Sequence, residues 1–179
     1  MLLDIMRMME QLLTRQHSKG MLLIPHGLEG KLGNLLNVKL RGIYGFTRMY
    51  SYTKDQKYLE ASLNLLEYYF SRLPFNHYVP KWDFSQPGTG LDLTKQDTSA
   101  AMIIASALSD LGKLTMNPIF RKLSLNTYQY LFDQSQDYIP VGLELAGILQ
   151  HGTSNAPRGQ TDHALVYGDF YLLEGLLKL

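Results

Sequence analysis

The chain has 179 residues, enough for one compact domain with a real core, and we expect residues 1–179 to form a single all-helical domain. Its 45% hydrophobic and 18% charged residues are typical of a globular protein and argue against disorder. A net charge of +1 without a long basic run argues against nucleic acid as a partner, and the absence of cysteine excludes disulfides and thiolate metal sites. No apolar run reaches the ~20 residues that span a bilayer. We therefore expect a cytoplasmic protein that does not bind membranes.

Helical periodicity dominates the first part of the chain. A helix is predicted over about 37–52, followed by Thr53-Lys54-Asp55, which is typical of a tight turn that also supplies an N-cap. The next helix, 56–73, has apolar residues at spacings of three and four, which place them on one stripe. The residues of this stripe are Leu59, Leu63, Leu66, Phe70 and Leu73.

The second part of the chain continues the pattern. Residues 98–113 are apolar on nearly all sides, which predicts a helix buried by several neighbours. Asn117-Pro118 is a clear start signal for an amphipathic helix to about 132, and a last helix is predicted over 168–178. No stretch alternates as a strand does, and no exact repeat is visible. The expected architecture is a stack of helical hairpins, each with an inner and an outer helix.

The connections over 74–96 and 133–167 are long and rich in Gly, Pro, Asp and Asn. Unstructured connections of this length are uncommon in a compact domain and are often functional. If the hairpins curve into a ring, both loops lie at the rim where the inner helices begin. The two loops are therefore the predicted location of a site.

Five short motifs in these helices and loops occur in a suggestive order. They are Gly42-Ile43-Tyr44-Gly45-Phe46, Trp82-Asp83-Phe84, Asp97-Thr98-Ser99-Ala100-Ala101, Gly147-Ile148-Leu149-Gln150-His151 and Tyr167-Gly168-Asp169. Each is weak alone, but together they resemble the C-terminal half of the unsaturated glucuronyl hydrolases, family eighty-eight of the glycoside hydrolases. That resemblance implies an all-α fold, an incomplete (α/α) toroid of stacked helical hairpins that forms about half of an (α/α)6 barrel.

The resemblance also implies a chemistry. In that family a carboxyl group protonates the C4=C5 double bond of an unsaturated uronic acid, water adds, and the resulting hemiketal breaks down. The reaction needs an Asp that acts first as general acid and then as base. Aromatic rings stack on the sugar, and a polar or cationic group reads its carboxylate. The implied partner is an acidic unsaturated oligosaccharide, with no metal and no cofactor.

Asp4 is the catalytic residue that the resemblance suggests. Leu2-Leu3-Asp4-Ile5-Met6 resembles the family segment whose Asp opens an inner helix. A structural alternative stays open, in which Asp4 is a carboxylate at a helix N-terminus that the helix dipole favours. His26 resembles a family histidine that binds substrate, although a histidine after Pro25 is also typical of a loop residue with a backbone hydrogen bond.

The segment where the family reads its sugar differs most. Residues 35–41 stand where the family has Trp-x-Arg-Gly-Gln-x-Trp, so that Lys39 replaces the glutamine and Arg41 the second tryptophan. Lost rings remove stacking area, and a lost guanidinium removes a bidentate reader of carboxylates. Lys39 and Arg41 would still attract an acidic sugar as substrate-binding residues. We therefore expect a glycoside hydrolase-like protein whose catalysis is reduced or lost.

Three further residues carry alternatives. Trp82 is a candidate substrate-binding residue, but a plug at the rim of the helical stack is favoured over a sugar platform. Asp97 and Asp169 are both predicted as N-caps of the helices that follow them. The remaining histidines show no paired spacing for a metal, so structural or solvent roles are expected for them. They are His17, His77, His151 and His163.

A second hypothesis is a non-catalytic interaction module. Half a ring leaves two faces that a complete toroid would bury, including the Met-rich start of the chain and the leucines at its end. Large apolar faces of this kind attract partners. On this hypothesis the protein is a homodimer joined through the open ends of the half ring.

Overall fold

The computed structural model describes residues 36–73, 77–82, 96–142 and 146–179, and for 36–40 the backbone alone. In these ranges the helices are α1 (Leu36–Thr53), α2 (Gln56–Arg72), α3 (Thr98–Thr115), α4 (Pro118–Asp133), α5 (Ser135–Tyr138) and α6 (Val166–Leu176), with a 3-10 turn at Ala156–Arg158. The described β-pairing consists of isolated bridges, so this part of the chain is all-α, as predicted. The last helix begins and ends two residues earlier than the predicted 168–178.

The helices form two layers. Helices α1 and α2 pair as one hairpin and α3 and α4 as a second, while α3 also packs against α1 and α6. Helix α3 is therefore enclosed on several sides, as its apolar sequence predicts, and it contributes to both core clusters of the described residues. Helices α1, α3 and α6 are the inner layer, and α2 and α4 are the outer layer. The predicted arrangement of inner and outer helices is confirmed.

Both hairpins turn in the same way. The turns are Thr53-Lys54-Asp55 and Thr115-Met116-Asn117, which are 62 positions apart. In each, the Thr hydroxyl donates to the carbonyl four residues earlier (2.8 and 2.6 Å), and the middle residue has left-handed backbone (φ 56 and 55). The Asp or Asn side chain then accepts from the N–H two residues later, at 3.1 Å in both turns. Both predicted caps are confirmed.

A buried pair of hydroxyls joins the two helices of each hairpin. Thr47 Oγ1 lies 2.8 Å from Ser62 Oγ in the first hairpin, and Ser109 Oγ lies 2.7 Å from Ser124 Oγ in the second. Ser62 and Ser124 also contact the inner-helix carbonyl 19 residues earlier. Small side chains let the helices approach closely, and the shared bonds satisfy the buried hydroxyls. The hairpins thus repeat in position, although their sequences are not an exact repeat.

Candidate functional site

The three inner helices begin at the same end of the molecule. The guanidinium carbon of Arg41, near the start of α1, lies 5.0 Å from the ring centroid of Tyr167, the second residue of α6. Tyr167 in turn contacts Ser99, the second residue of α3. Near the other ends of the helices, Lys178 Nζ lies 2.9 Å from Asp110 Oδ2. The inner helices are therefore parallel, and the positive ends of the α3 and α6 dipoles lie beside Tyr167.

Arg41 and Tyr167 form the accessible part of this end. Arg41 is exposed and Tyr167 is half-buried. Burial raises the pKa of the Tyr167 hydroxyl and the charge of Asp97 adds to the rise, while contacts with Ser99 and Arg41 oppose it. Tyr167 is therefore a neutral phenol at pH 7 whose ring carries a cation. A guanidinium held on an aromatic ring beside helix N-termini favours an anionic ligand.

Asp97 fixes the start of α3 against the loop after residue 146. It is fully buried, and its Oδ1 accepts from Ser99 Oγ at 2.6 Å, from Ala100 N at 3.3 Å and from Thr153 N at 3.4 Å. The predicted N-cap at Asp97 is confirmed. The enclosed carboxylate therefore ties the start of α3 to the loop that contains Thr153.

Asp169 has a different role from the predicted one. Helix α6 begins at Val166 with Leu165 as its N-cap, so Asp169 lies inside the first turn and does not cap the helix. Its carboxylate instead accepts from Ile148 N at 3.1 Å and from Leu149 N at 2.8 Å. The N-cap prediction for Asp169 is therefore wrong, because backbone donors from a distant loop use this carboxylate.

A short ribbon over 152–163 follows that loop. Gly152 pairs with His163 and Asn155 with Gln160, as isolated antiparallel bridges. His151 Nδ1 and Asp162 Oδ1 lie 2.5 Å apart at the open end of the ribbon, and both residues have left-handed backbone (φ 60 and 64). This pair holds the two ends of the ribbon together beside the N-terminus of α3.

A metal-binding cluster and a membrane-spanning helix are both absent from the described residues. These residues contain no group of three or more His, Cys, Asp or Glu side chains that is arranged to bind a metal ion. Among the same residues, no helix combines the length and the apolar character needed to cross a membrane.

Known proteins have a similar fold and a related sequence. No protein-family model matches the chain. An unsaturated glucuronyl hydrolase from Formosa agariphila is 34% identical over 145 residues, which cover 76% of this chain and 34% of that protein. The crystal structure of an unsaturated glucuronyl hydrolase specific for heparin superposes with a TM-score of 0.69 at 27% identity, covering 82% of this chain and 40% of that one. This chain is homologous to part of the unsaturated glucuronyl hydrolases.

A further relative agrees with this. An unsaturated chondroitin disaccharide hydrolase from Streptococcus pneumoniae is 26% identical over 150 residues, covering 76% of this chain and 35% of that protein. The chain spans about a third of the length of the curated relatives that it matches. The all-helical fold, part of the (α/α)6 toroid of the unsaturated glucuronyl hydrolases, is confirmed.

The structure describes only some of the site residues that the glucuronyl hydrolase resemblance selected. Asp4 and His26 lie outside the described residues, and Lys39 lies on α1 where the backbone alone is described. Arg41 lies on the ring of Tyr167, as given above. The roles assigned to these four residues stay predictions.

Trp82 lies in the loop that precedes α3. The bridge between Lys81 and Gln96 brings the two ends of this loop together. The Trp82 side chain is only 5% exposed, and its indole N–H has no hydrogen-bond partner among the described residues. This burial is what a rim plug requires, and the alternative role of Trp82 in binding sugar stays a prediction.

A polar column below Arg41 and Tyr167 was not found from the sequence. Glu174 accepts from Tyr44 Oη at 2.7 Å and from Ser106 Oγ at 2.6 Å, and Lys178 Nζ lies 3.0 Å from its carboxylate. Burial opposes the charge of Glu174, but these bonds outweigh burial and lower its pKa. The sequence pattern that could have revealed this column is the spacing of four, three and four residues on α6 and the turn after it. This spacing places Tyr167, Tyr171, Glu174 and Lys178 on one helical face. The column joins all three inner helices beneath the site.

Proposed function

We propose that this chain, which is homologous to part of the glucuronyl hydrolases, binds an acidic unsaturated oligosaccharide beside Arg41 and Tyr167, with slow or absent turnover. The observation that carries the proposal is the exposed Arg41 guanidinium, held over the ring of Tyr167 at the start of α6 and beside the start of α3. The uronate carboxylate would bind this guanidinium, and the helix N-termini would add to the attraction. Homology to the glucuronyl hydrolases supports the choice of sugar.

The reaction, where it occurs, is hydration of a vinyl ether. Asp4 would protonate the C4=C5 double bond, water would add to the resulting cation, and Asp4 would accept a proton from that water. The hemiketal product then opens and releases the rest of the oligosaccharide. The replaced strip at 35–41 supports reduced turnover, because the strip lacks the rings and the paired donors that the family uses to orient the sugar.

Binding and turnover are tested separately. Calorimetric titration with an unsaturated chondroitin disaccharide and with an unsaturated heparin disaccharide measures binding. We expect Arg41→Ala to weaken binding by about two- to fivefold, since loss of one exposed ionic contact costs up to about 1 kcal/mol. The matched control is Arg72→Ala, since Arg72 lies 5.2 Å over the ring of Tyr68 on the outer layer. Equal effects of both substitutions would contradict the proposed site.

Turnover is followed by loss of the ultraviolet absorbance of the C4=C5 double bond. Any activity should disappear in Asp4→Asn, because the amide cannot donate the required proton. Activity that persists in Asp4→Asn would exclude Asp4 as the acid. Binding without turnover in the unmodified chain would support a protein that has kept the sugar site and lost the reaction. Failure of both disaccharides to bind at millimolar concentration would exclude the proposed function.

A further inference from the structure

One face of α6 has no neighbouring helix among the described residues. The side toward α3 buries Gly168, Leu172 and Gly175. The opposite side carries four apolar residues at successive spacings of four, three and four, which place them on one stripe. They are Val166 (84% exposed), Phe170 (57%), Leu173 (49%) and Leu177 (90%). We call these four residues the α6 stripe.

The α6 stripe carries no charge. The neighbouring charged residues of α6 point elsewhere, because Asp169 binds the loop at 148–149 and Glu174 and Lys178 belong to the column between the inner helices. An uncharged stripe of large apolar side chains on a surface helix is the pattern of a helix that packs against another helix.

The residues of the α6 stripe are spaced by four, three and four positions, so the order of the spacings is the same from either end of the helix. Two antiparallel copies would therefore set Val166 against Leu177 of the partner subunit and Phe170 against Leu173 of the partner subunit. Each contact then pairs a larger side chain with a smaller one. In a parallel pair in register, by contrast, Phe170 would lie against Phe170 of the partner subunit. The antiparallel pair also places each helix N-terminus beside the other C-terminus, which the helix dipoles favour.

The area is sufficient for a specific contact. The four exposed side chains, with Ile148 beside them at the Asp169 contact, offer on the order of 500 Å² of apolar surface per copy. Two copies would bury about 1,000 Å², the lower limit for a specific protein–protein interface. An interface of this size predicts a dimer of moderate affinity.

We propose that the α6 stripe is a homodimer interface in which α6 packs antiparallel against α6 of a second copy about a two-fold axis. This inference is independent of the carbohydrate proposal, because the stripe lies opposite the α3-facing side of α6 and contains none of the residues proposed to bind the sugar. It predicts a specific geometry, which distinguishes it from general adhesion through the open ends of the half ring.

Sedimentation equilibrium of the 179-residue chain tests the interface. We expect a dimer at tens of micromolar, and at least tenfold weaker association in Leu173→Asp. The matched control is Leu125→Asp, because Leu125 is 44% exposed on α4 and lies outside the stripe. Circular dichroism melts verify that both variants fold. A monomer at 100 μM in the unmodified chain, or an unchanged dimer in a folded Leu173→Asp variant, would overturn the proposal.

Crosslinking tests the antiparallel geometry. Since the chain has no cysteine, Val166→Cys and Leu177→Cys each introduce a single thiol. In the proposed dimer these thiols meet only between one copy of each variant, because residues 166 and 177 are about 16 Å apart along a helix. A short bis-maleimide should therefore crosslink an equimolar mixture of the two variants and neither variant alone. Crosslinking of Val166→Cys alone, or no crosslinking in the mixture, would overturn the antiparallel arrangement.

Discussion

The hydroxyl of Tyr128 occupies the position that a Cβ on Gly175 would take. Gly175 lies on α6 and Tyr128 on the outer helix α4, so this contact brings α6 close to the hairpin of α3 and α4. The Tyr128 side chain is buried, and its hydroxyl has no hydrogen-bond partner among the described residues. Glycine is therefore required at residue 175 for space, and its backbone freedom is not the reason.

Gly175→Ala should destabilise the protein by about 1–3 kcal/mol, because the cost of overpacking exceeds the helix propensity that alanine adds. Gly45→Ala is the matched control. A Cβ at residue 45 would meet nothing within 4 Å, so alanine there should stabilise by about 0.5–1 kcal/mol. Urea unfolding measures both changes.

Tyr128→Phe should restore part of the stability that Gly175→Ala removes. The substitution deletes the overlapping oxygen, although the ring carbon that carries it stays close to residue 175. A double-mutant cycle measures the coupling between the two residues. Additive effects of the two substitutions would show that they do not share this contact.

Met116→Gly should stabilise the protein by about 0.5–1 kcal/mol, because Met116 has left-handed backbone (φ 55) that glycine adopts without steric cost. The Met116 side chain is exposed, so little packing is lost. Met49→Gly, within α1, should destabilise by about 1 kcal/mol and serves as the control. Equal losses in both variants, measured by thermal unfolding, would contradict this account of the turn.

Local signals in the sequence predict most of the fold. The bounds of α2 and α4 follow from apolar spacing and from caps at Asp55 and Asn117, which act within a few residues. The structural repeat of the two hairpins was not predicted, because it rests mainly on a backbone conformation and on hydroxyl pairs, with few identical residues at equivalent positions. Its visible traces in the sequence are Thr-x-Asp and Thr-x-Asn at the two turns, and serines at residues 62 and 124.

Contacts between distant residues explain what the sequence did not predict. Asp169 has the local pattern of a cap, yet the N–H groups of residues 148 and 149 determine its role. The resemblance selected Arg41, and Tyr167 lies in one of the five motifs, but their contact was not predicted, since the two residues meet only when α1 and α6 lie side by side. A single helix face can be predicted from spacing, whereas the residue opposite that face cannot.

Asp169→Asn should release the loop at residues 148–149, because an amide offers one acceptor in place of two and turns a donor toward a backbone N–H. We expect hydrogen exchange at the Ile148 and Leu149 amides to accelerate by about tenfold or more, equivalent to a local loss of about 1.4 kcal/mol. Asp133→Asn, at an exposed bond to Gln129, should leave these amides unchanged. Unchanged exchange in Asp169→Asn would show that other contacts hold the loop.

Glu174→Gln should cost about 1–3 kcal/mol at pH 7, because it weakens hydrogen bonds to a charged acceptor between the inner helices. The pKa of Glu174 is lower in the folded protein than its ordinary value of 4.5, so the folded state binds fewer protons and this stabilisation is complete above about pH 4.5. It is lost as the pH falls through the lowered pKa. The difference in unfolding free energy between the unmodified chain and Glu174→Gln should therefore be largest at neutral pH and decrease in acid.

Glu67→Gln, exposed on α2, is the control and should change the free energy of unfolding by less than about 0.5 kcal/mol. A difference for Glu174→Gln that stays constant from pH 7 to pH 3 would show that its charge does not stabilise the column.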